Sequence, residues 1–223
     1  MFITASGISK KYYRPTKNAS HFEAVKTMDF ALEPEKLTEI TGRSGSGKST
    51  LLYMLAGLLK PTTGTVSFDG TDVYSLKDDE LSRVRNAAIG VIPQGQTGLF
   101  ALTVLQNVLA PAAIYGDTSA LEARAKELLR QVGIADLADA KMSELSGGEM
   151  RRMAIARALI MNPSVVFADE PTDDLDDENT RAVLELLAAT AKSGKSVLLV
   201  THEATAAQYA DVLYRMDAGE LKS

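Results

Sequence analysis

The stretch Gly42-Arg43-Ser44-Gly45-Ser46-Gly47-Lys48-Ser49-Thr50 fits the pattern G-x-x-x-x-G-K-[ST] without a mismatch, and few folds can accommodate it. Before it, Leu37-Thr38-Glu39-Ile40-Thr41 is short and rich in β-branched residues, as a strand would be; after it, Leu51 to Ala56 reads as a buried helix. Strand, glycine loop and helix form the context in which this pattern binds phosphate. Gly45 and Gly47 can take backbone angles closed to other residues, so consecutive N–H groups can turn inward around phosphate oxygens. Those donors are free because the first turn of a helix offers them no carbonyls. Lys48 adds a positive charge near the terminal phosphates, and the Ser49 hydroxyl suits a Mg²⁺ ion that arrives with a nucleotide. No side chain in the loop selects a base.

With 223 residues, 45% of them hydrophobic, the chain can bury a core the size of one large domain or one domain with a subdomain. It has no Cys, which excludes disulfides and thiolate metal sites and suits a reducing compartment, with the cytoplasm as the expected location. Met1 to Ser6 lacks the basic start and apolar run of a signal peptide, so export is not expected. The longest apolar region, Leu99 to Tyr115, is broken by Thr103, Gln106, Asn107 and Pro111, whereas a spanning helix needs roughly 20 mostly apolar residues. A net charge of −5 argues against a nucleic-acid partner.

Along the chain, Phe2 to Thr4 and Phe22 to Leu32 read as strands around a basic, tyrosine-bearing loop from Lys10 to Lys17. Asp69-Gly70 signals a hairpin after Thr65 to Phe68, and a polar helix over Asp78 to Arg85 leads to a strand at Ile89 to Ile92. From Gly95 to about Asn162 strand signals vanish. The clearest helix there runs from Leu121 to Val132, with Ser119 and Glu122 as its capping box and Gly133 as its stop. Strands return at Ser164 to Ala168 and Ser196 to Thr201, separated by a helix over Asn179 to Lys192. A helix over 204–210 and a strand at Val212 to Met216 close the chain. Short, fully apolar runs suit the centre of a parallel sheet covered on both faces. The expected fold is α/β: a P-loop NTPase core with a mostly parallel central sheet, an N-terminal antiparallel β subdomain and an inserted α-helical subdomain. Core and β subdomain are expected over 1–93 and 163–223, and the helical subdomain over 94–162.

Asp169-Glu170 follows an apolar strand, at the end where ligands bind in open α/β sheets. Asp169 can hold Mg²⁺ opposite Ser49, and Glu170 can orient or deprotonate an attacking water. Asp173, Asp174, Asp177 and Glu178 read instead as a solvated start to the next helix, where carboxylates are favoured. Leu145-Ser146-Gly147-Gly148-Glu149 precedes a long helical stretch and makes either a second anion site of backbone donors or an ordinary cap; the residues alone leave both open.

Taken in order, Gly42 to Thr50, Gln94, Leu145 to Glu149, Val165 to Glu170, Leu175-Asp176 and His202 resemble the nucleotide-binding domain of ABC transporters, over essentially the whole chain. Val91-Ile92-Pro93-Gln94, Val104 to Val108, Ala168 to Thr172 and Val200 to Glu203 read like the lipoprotein-release and macrolide-export branch. The resemblance implies a Mg²⁺-dependent ATPase with ATP bound along Gly42, Arg43, Ser44, Gly45, Ser46, Gly47, Lys48, Ser49 and Thr50. It implies Tyr12, or Tyr13 as the near-equal alternative, on the adenine face, and Gln94 linking Mg²⁺ or water to the helical insertion. It places His202 at the γ-phosphate, while His21 remains a surface residue.

It further implies that Ser146, Gly147, Gly148 and Glu149 complete the ATP site of a second subunit, giving a head-to-tail pair, most simply a homodimer. A separate membrane permease would dock near Gly95 to Leu105, with Gly98, Leu99, Phe100 and Leu102 as groove candidates. The chain would then be cytoplasmic and peripheral on the inner face of the membrane. A regulatory ABC-type ATPase of a cell-division-like complex is the alternative; a P-loop kinase or GTPase is disfavoured, since no Asn-Lys-x-Asp motif occurs. The sequence departs from the family pattern at Glu35-Lys36, often Gly-Glu, at Arg43, often Pro, and at Asp173-Asp174, usually Gly-Asn. It departs again at Glu39, often small and apolar, whose carboxylate is expected to reach solvent or a cation.

Overall fold

The computed structural model describes residues 1–14, 20–95, 97–116 and 118–222. Strands β1 (Ile3–Arg14), β2 (Ser20–Leu32), β4 (Thr63–Phe68) and β5 (Thr71–Asp72) form an antiparallel sheet in the order β2-β1-β4-β5. Asp69 and Gly70 make the β4–β5 turn with φ of 48° and 86°, the left-handed pair a two-residue hairpin favours. The basic segment expected as a loop is strand as far as Arg14. Three register shifts along β1 absorb its irregularity, and its lysines find partners: Lys10 donates to the Lys60 carbonyl at 2.7 Å and Lys11 pairs with Glu23 at 3.5 Å. The remainder of that expected loop, as far as Lys17, lies outside the described residues.

The second sheet runs β10-β9-β3-β8-β7-β6, from β3 (Leu37–Thr41), β6 (Ile89–Ile92), β7 (Val165–Asp169), β8 (Ser196–Thr201), β9 (Val212–Asp217) and β10 (Glu220–Lys222). All its pairs are parallel except β9–β10. Alternate residues of its central strands enter opposite cores. Leu37, Val166, Ala168, Val197 and Leu199 meet α3 (Val104–Ala113), α4 (Glu122–Gln131), α5 (Gly147–Leu159) and α6 (Asp177–Lys192). Ile40, Val165, Phe167, Leu198 and Val200 meet α1 (Lys48–Leu55), α2 (Asp78–Ala88) and the antiparallel sheet. This is the expected α/β class, with α3, α4 and α5 between β6 and β7.

Three local expectations are corrected. Helix α4 begins at Glu122 with Leu121 in the cap position, because 119–121 are drawn into a 3₁₀ turn as Leu121 packs on the core; Ser119 is therefore not its N-cap. The segment expected as a helix over 204–210 is 3₁₀ over Ala204–Tyr209, with Ala206 alone fully buried and too little apolar face to support regular α turns. Glu39 reaches neither solvent nor a cation. It is 0% exposed in β3, flanked by β8 and β9, and both carboxylate oxygens lack a partner among the described residues. Burial pushes its pKa up to about 7, so the group is accommodated by holding a proton.

Candidate functional site

The glycine loop leaves β3 at Gly42 and enters α1 at Lys48. Gly47 has φ 108°, and a Cβ there would lie 2.2 Å from the Ala24 carbonyl oxygen, so only glycine fits the point where loop becomes helix. Helix α1 has no side-chain cap and no acidic residue in its first turn, which leaves its N–H groups to an outside anion. Lys48 is buried along the loop; its Nζ donates to the carbonyls of Gly42 (2.8 Å) and Arg43 (3.3 Å) and lies 3.5 Å from Glu170 Oε1.

Asp169 ends β7 under this loop, fully buried, and accepts a hydrogen bond from Ser49 Oγ at 2.8 Å. Burial raises its pKa, opposed in part by the Ser49 and Tyr53 hydroxyls, and its Oδ2 is a buried acceptor without a partner of good geometry. A divalent cation between Ser49 and Asp169 answers both features, so these residues fit Mg²⁺. Glu170 turns out of the strand with φ 46°, 5% exposed. Its Oε1 faces Lys48, while its Oε2 accepts from the His202 backbone N–H (3.1 Å) and lies 3.0 Å from His202 Nδ1. A buried carboxylate held at both oxygens has few positions open to it.

An open cleft of about 270 Å³ gathers Tyr12, Phe22, Ala24, Ser44, Gly45, Gly47, Lys48, Ser49, Thr50, Gln94 and Glu170. Strand alternation separates the two tyrosines. Tyr12 lines the cleft and stacks on Phe22 with centroids 5.6 Å apart, whereas Tyr13 is 57% exposed and tilts against His21. Arg43 is exposed outside the cleft, and Gly42 and Arg43 serve it through their carbonyls on Lys48. Ser46 is buried in the loop itself, its N–H bonded to the Arg43 carbonyl.

The second glycine turn lies elsewhere. Ser146, Gly147, Gly148, Arg152, Asp174, Leu175, Asp176 and Asn179 line a separate cleft that shares no residue with the first. Here the turn forms a cap. Ser146 caps α5, its Oγ accepting from the Glu149 N–H (3.3 Å), and Glu149 Oε2 accepts from the Ser146 N–H and hydroxyl, each at 2.7 Å. These bonds lower the Glu149 pKa. Glu149, expected with its neighbours at a nucleotide, is thus turned back into the capping box. Asp176 caps α6 through the Asn179 N–H, with Asp177 and Glu178 in its first turn, as carboxylates favour; Asp173 and Asp174 lie in the preceding turn.

Comparison with known proteins bears on the whole arrangement. Residues 25–173 match the ABC transporter family. The chain belongs to that family. It is similar to the lipoprotein-releasing system ATP-binding protein LolD of Leptospira interrogans, 40% identical over 91% of this chain and 85% of the relative. It also resembles the LolD of Bacteroides thetaiotaomicron, 40% identical over 93% and 96%. The macrolide export ATP-binding/permease protein MacB of Rhodopseudomonas palustris is 42% identical over 82% of this chain and 28% of its own longer length. Among solved structures, a dimeric ATP-binding cassette in a post-hydrolysis state bound to ADP and Pi superposes with a TM-score of 0.91 at 32% identity, covering 99% of this chain and 97% of that one.

Within this ABC cassette, some residues near the clefts escaped sequence reasoning. Tyr53 stands four residues after Ser49, hence on the same face of α1; burial first, then Asp169, pushes its hydroxyl pKa up to about 12. Arg151, 3% exposed, donates to the Pro93 carbonyl at 2.9 Å, and Arg157 donates to Thr97 Oγ1 at 2.9 Å; both tie α5 to the segment around Gln94. An arginine within an otherwise apolar helix face was the available signal. Arg152, lining the second cleft four residues after Gly148, followed the same spacing.

Proposed function

We propose that this ABC chain binds ATP with Mg²⁺ in the Lys48–Glu170 cleft and hydrolyses it after pairing with a second copy, driving a separate membrane permease of the lipoprotein-release or macrolide-export type. One observation carries the reading: the glycine-bearing starts of α1 and α5 line separate clefts that share no residue, which suits Ser146, Gly147 and Gly148 to a nucleotide held by another chain. Relatives named as ATP-binding parts of releasing and export systems, and a dimeric cassette holding ADP and Pi, support it.

In this reading Lys48 exchanges the Gly42 and Arg43 carbonyls for phosphate oxygens, gaining a charged partner for two neutral ones. The open N–H groups of the loop and of α1 hold the same phosphates. Tyr12 offers the adenine a ring face that tolerates any base. Ser49, Asp169 and Gln94 would hold Mg²⁺, which supplies charge neutralisation at the phosphates. Glu170 orients the attacking water and receives its proton, and His202 keeps the carboxylate aimed while reaching toward the γ-phosphate. Residues 94–162 act as a helical subdomain, with 1–93 and 163–223 as the core. The permease docks near Gly95 to Leu105, a stretch that includes Gln96, outside the described residues; Leu99 and Phe100 are exposed there, and Gly98 packs against Met142.

No helix among the described residues is long and apolar enough to cross a membrane, and the proposal places the chain on the cytoplasmic face through the permease. ATPase rate measured against chain concentration tests the pairing. Specific activity should rise with concentration, as a two-chain site requires; a constant specific activity across dilution would refute it.

A further inference from the structure

We propose that Glu170, Asp173 and His202 form a Zn²⁺ site in the nucleotide-free chain, distinct from the Mg²⁺ position at Ser49 and Asp169. One ligand atom from each of the three lies within 4.8 Å of the others. The set is not an acidic patch alone: it joins an imidazole to two carboxylates, a donor combination that suits zinc and discriminates against Mg²⁺, which demands near-octahedral oxygen ligands. In tetrahedral zinc, bonds of about 2.0 to 2.2 Å put donor atoms roughly 3.3 Å apart. Two of the three are already there, with His202 Nδ1 3.0 Å from Glu170 Oε2.

Glu170 Oε2 accepts one hydrogen bond, from the His202 backbone N–H at 3.1 Å, and keeps a second lone pair on the side of the His202 ring. Lys48 takes Oε1, so a cation on the His202 side does not displace it. Asp173 is only half-buried and His202 is exposed, so both can swing the short distance that closes the set, while the buried Glu170 provides the fixed point. Asp173 stands where the family pattern usually has Gly, so the third ligand belongs to this sequence. Three protein ligands leave a fourth position for water. Occupation withdraws Glu170 and His202 from the nucleotide, so zinc arrests turnover; that consequence rests on the proposed role of Glu170.

Zn²⁺ is titrated calorimetrically into metal-stripped, nucleotide-free full-length chain, and the complex is examined by X-ray absorption. The expected result is one ion per chain with one imidazole in its shell. Loss of an outer-shell partner alone costs 10- to 100-fold in metal affinity, so Asp173→Asn, which removes a ligand, should weaken binding at least about tenfold. His202→Ala should remove the imidazole signature, and His21→Ala should change nothing. In Mg-ATP, zinc should inhibit the wild type at about tenfold lower concentration than Asp173→Asn. Binding is read without nucleotide, so failure of the ATPase assignment leaves that measurement standing. Equal zinc affinity in wild type and Asp173→Asn, or an imidazole signature that survives His202→Ala, overturns the site.

Discussion

Helices α1 and α5 both carry glycine at their starts, yet their N-termini are built in opposite ways. Helix α1 opens from Gly47 in the left-handed region with no side-chain cap and no acid in its first turn, while α5 opens from Ser146 and Glu149 in a closed capping box. The first needs an anion from outside to satisfy its donors; the second has already satisfied part of its own. A helix start whose own side chains cap it is stable without ligand and binds an anion with whatever donors remain, whereas an uncapped one is committed to its ligand. In the proposed function, α1 is the end that holds this chain's own nucleotide and α5 the end that faces a partner's.

The comparison is broken most severely at α1. Lys48→Ala removes the cation of the uncapped end and leaves Glu170 without its 3.5 Å partner. A hydrogen bond to a charged group contributes about 1.5 to 3 kcal/mol, so calorimetry should show ATP affinity falling by about 10- to 150-fold. Unchanged affinity would mean that the uncapped end does not carry the nucleotide.

The strand feeding α1 gives the next effect. Glu39 has a folded-state pKa of about 7 against an ordinary 4.5, so between these values the folded chain keeps a proton that the unfolded chain releases. Stability should therefore be greatest below pH 4.5 as far as this group is concerned, decline as pH rises to 7, and level off above it. Glu39→Gln should flatten this component and raise stability at pH 8 by about 2 to 3 kcal/mol in urea unfolding. Parallel profiles for the two proteins would show that Glu39 is not desolvated.

The smallest change sharpens the α5 side. Glu149→Ala opens the capping box and should cost about 1 kcal/mol, a Tm decrease of roughly 2 to 4 °C for a chain of this size. ATP affinity of the isolated chain should stay unchanged, because Glu149 lies outside the first cleft. A parallel loss of affinity would contradict the separation of the two ends.

The first cleft was legible in the sequence because its chemistry is written in backbone requirements: Gly45, Gly47 and Lys48 can be read from spacing, and β3 coincides with the β-branched run Leu37–Thr41. Helix α6 and strands β7 and β8 were legible from apolar period alone. Features set by tertiary neighbours were not. Nothing local to Glu39 says that β8 and β9 flank it, and Ser119 lost its cap role to the packing of Leu121 two residues on. Tyr12 and Tyr13 could not be separated until strand alternation put one in the cleft and the other beside His21. Glu149 carried both possible meanings; its hydrogen bonds to Ser146 show the cap, while its place at a partner's nucleotide belongs to the proposed function.

The central claim, that each nucleotide is hydrolysed by one chain's Glu170 with another chain's Ser146-Gly147-Gly148 across from it, is tested most directly by Glu170→Gln. Light scattering after size-exclusion chromatography with Mg-ATP should show a stable dimer that wild type forms only transiently, with turnover reduced by about 100-fold or more while ATP binding persists. A chain that stays monomeric with ATP bound, or hydrolyses at near-normal rate, would contradict the account.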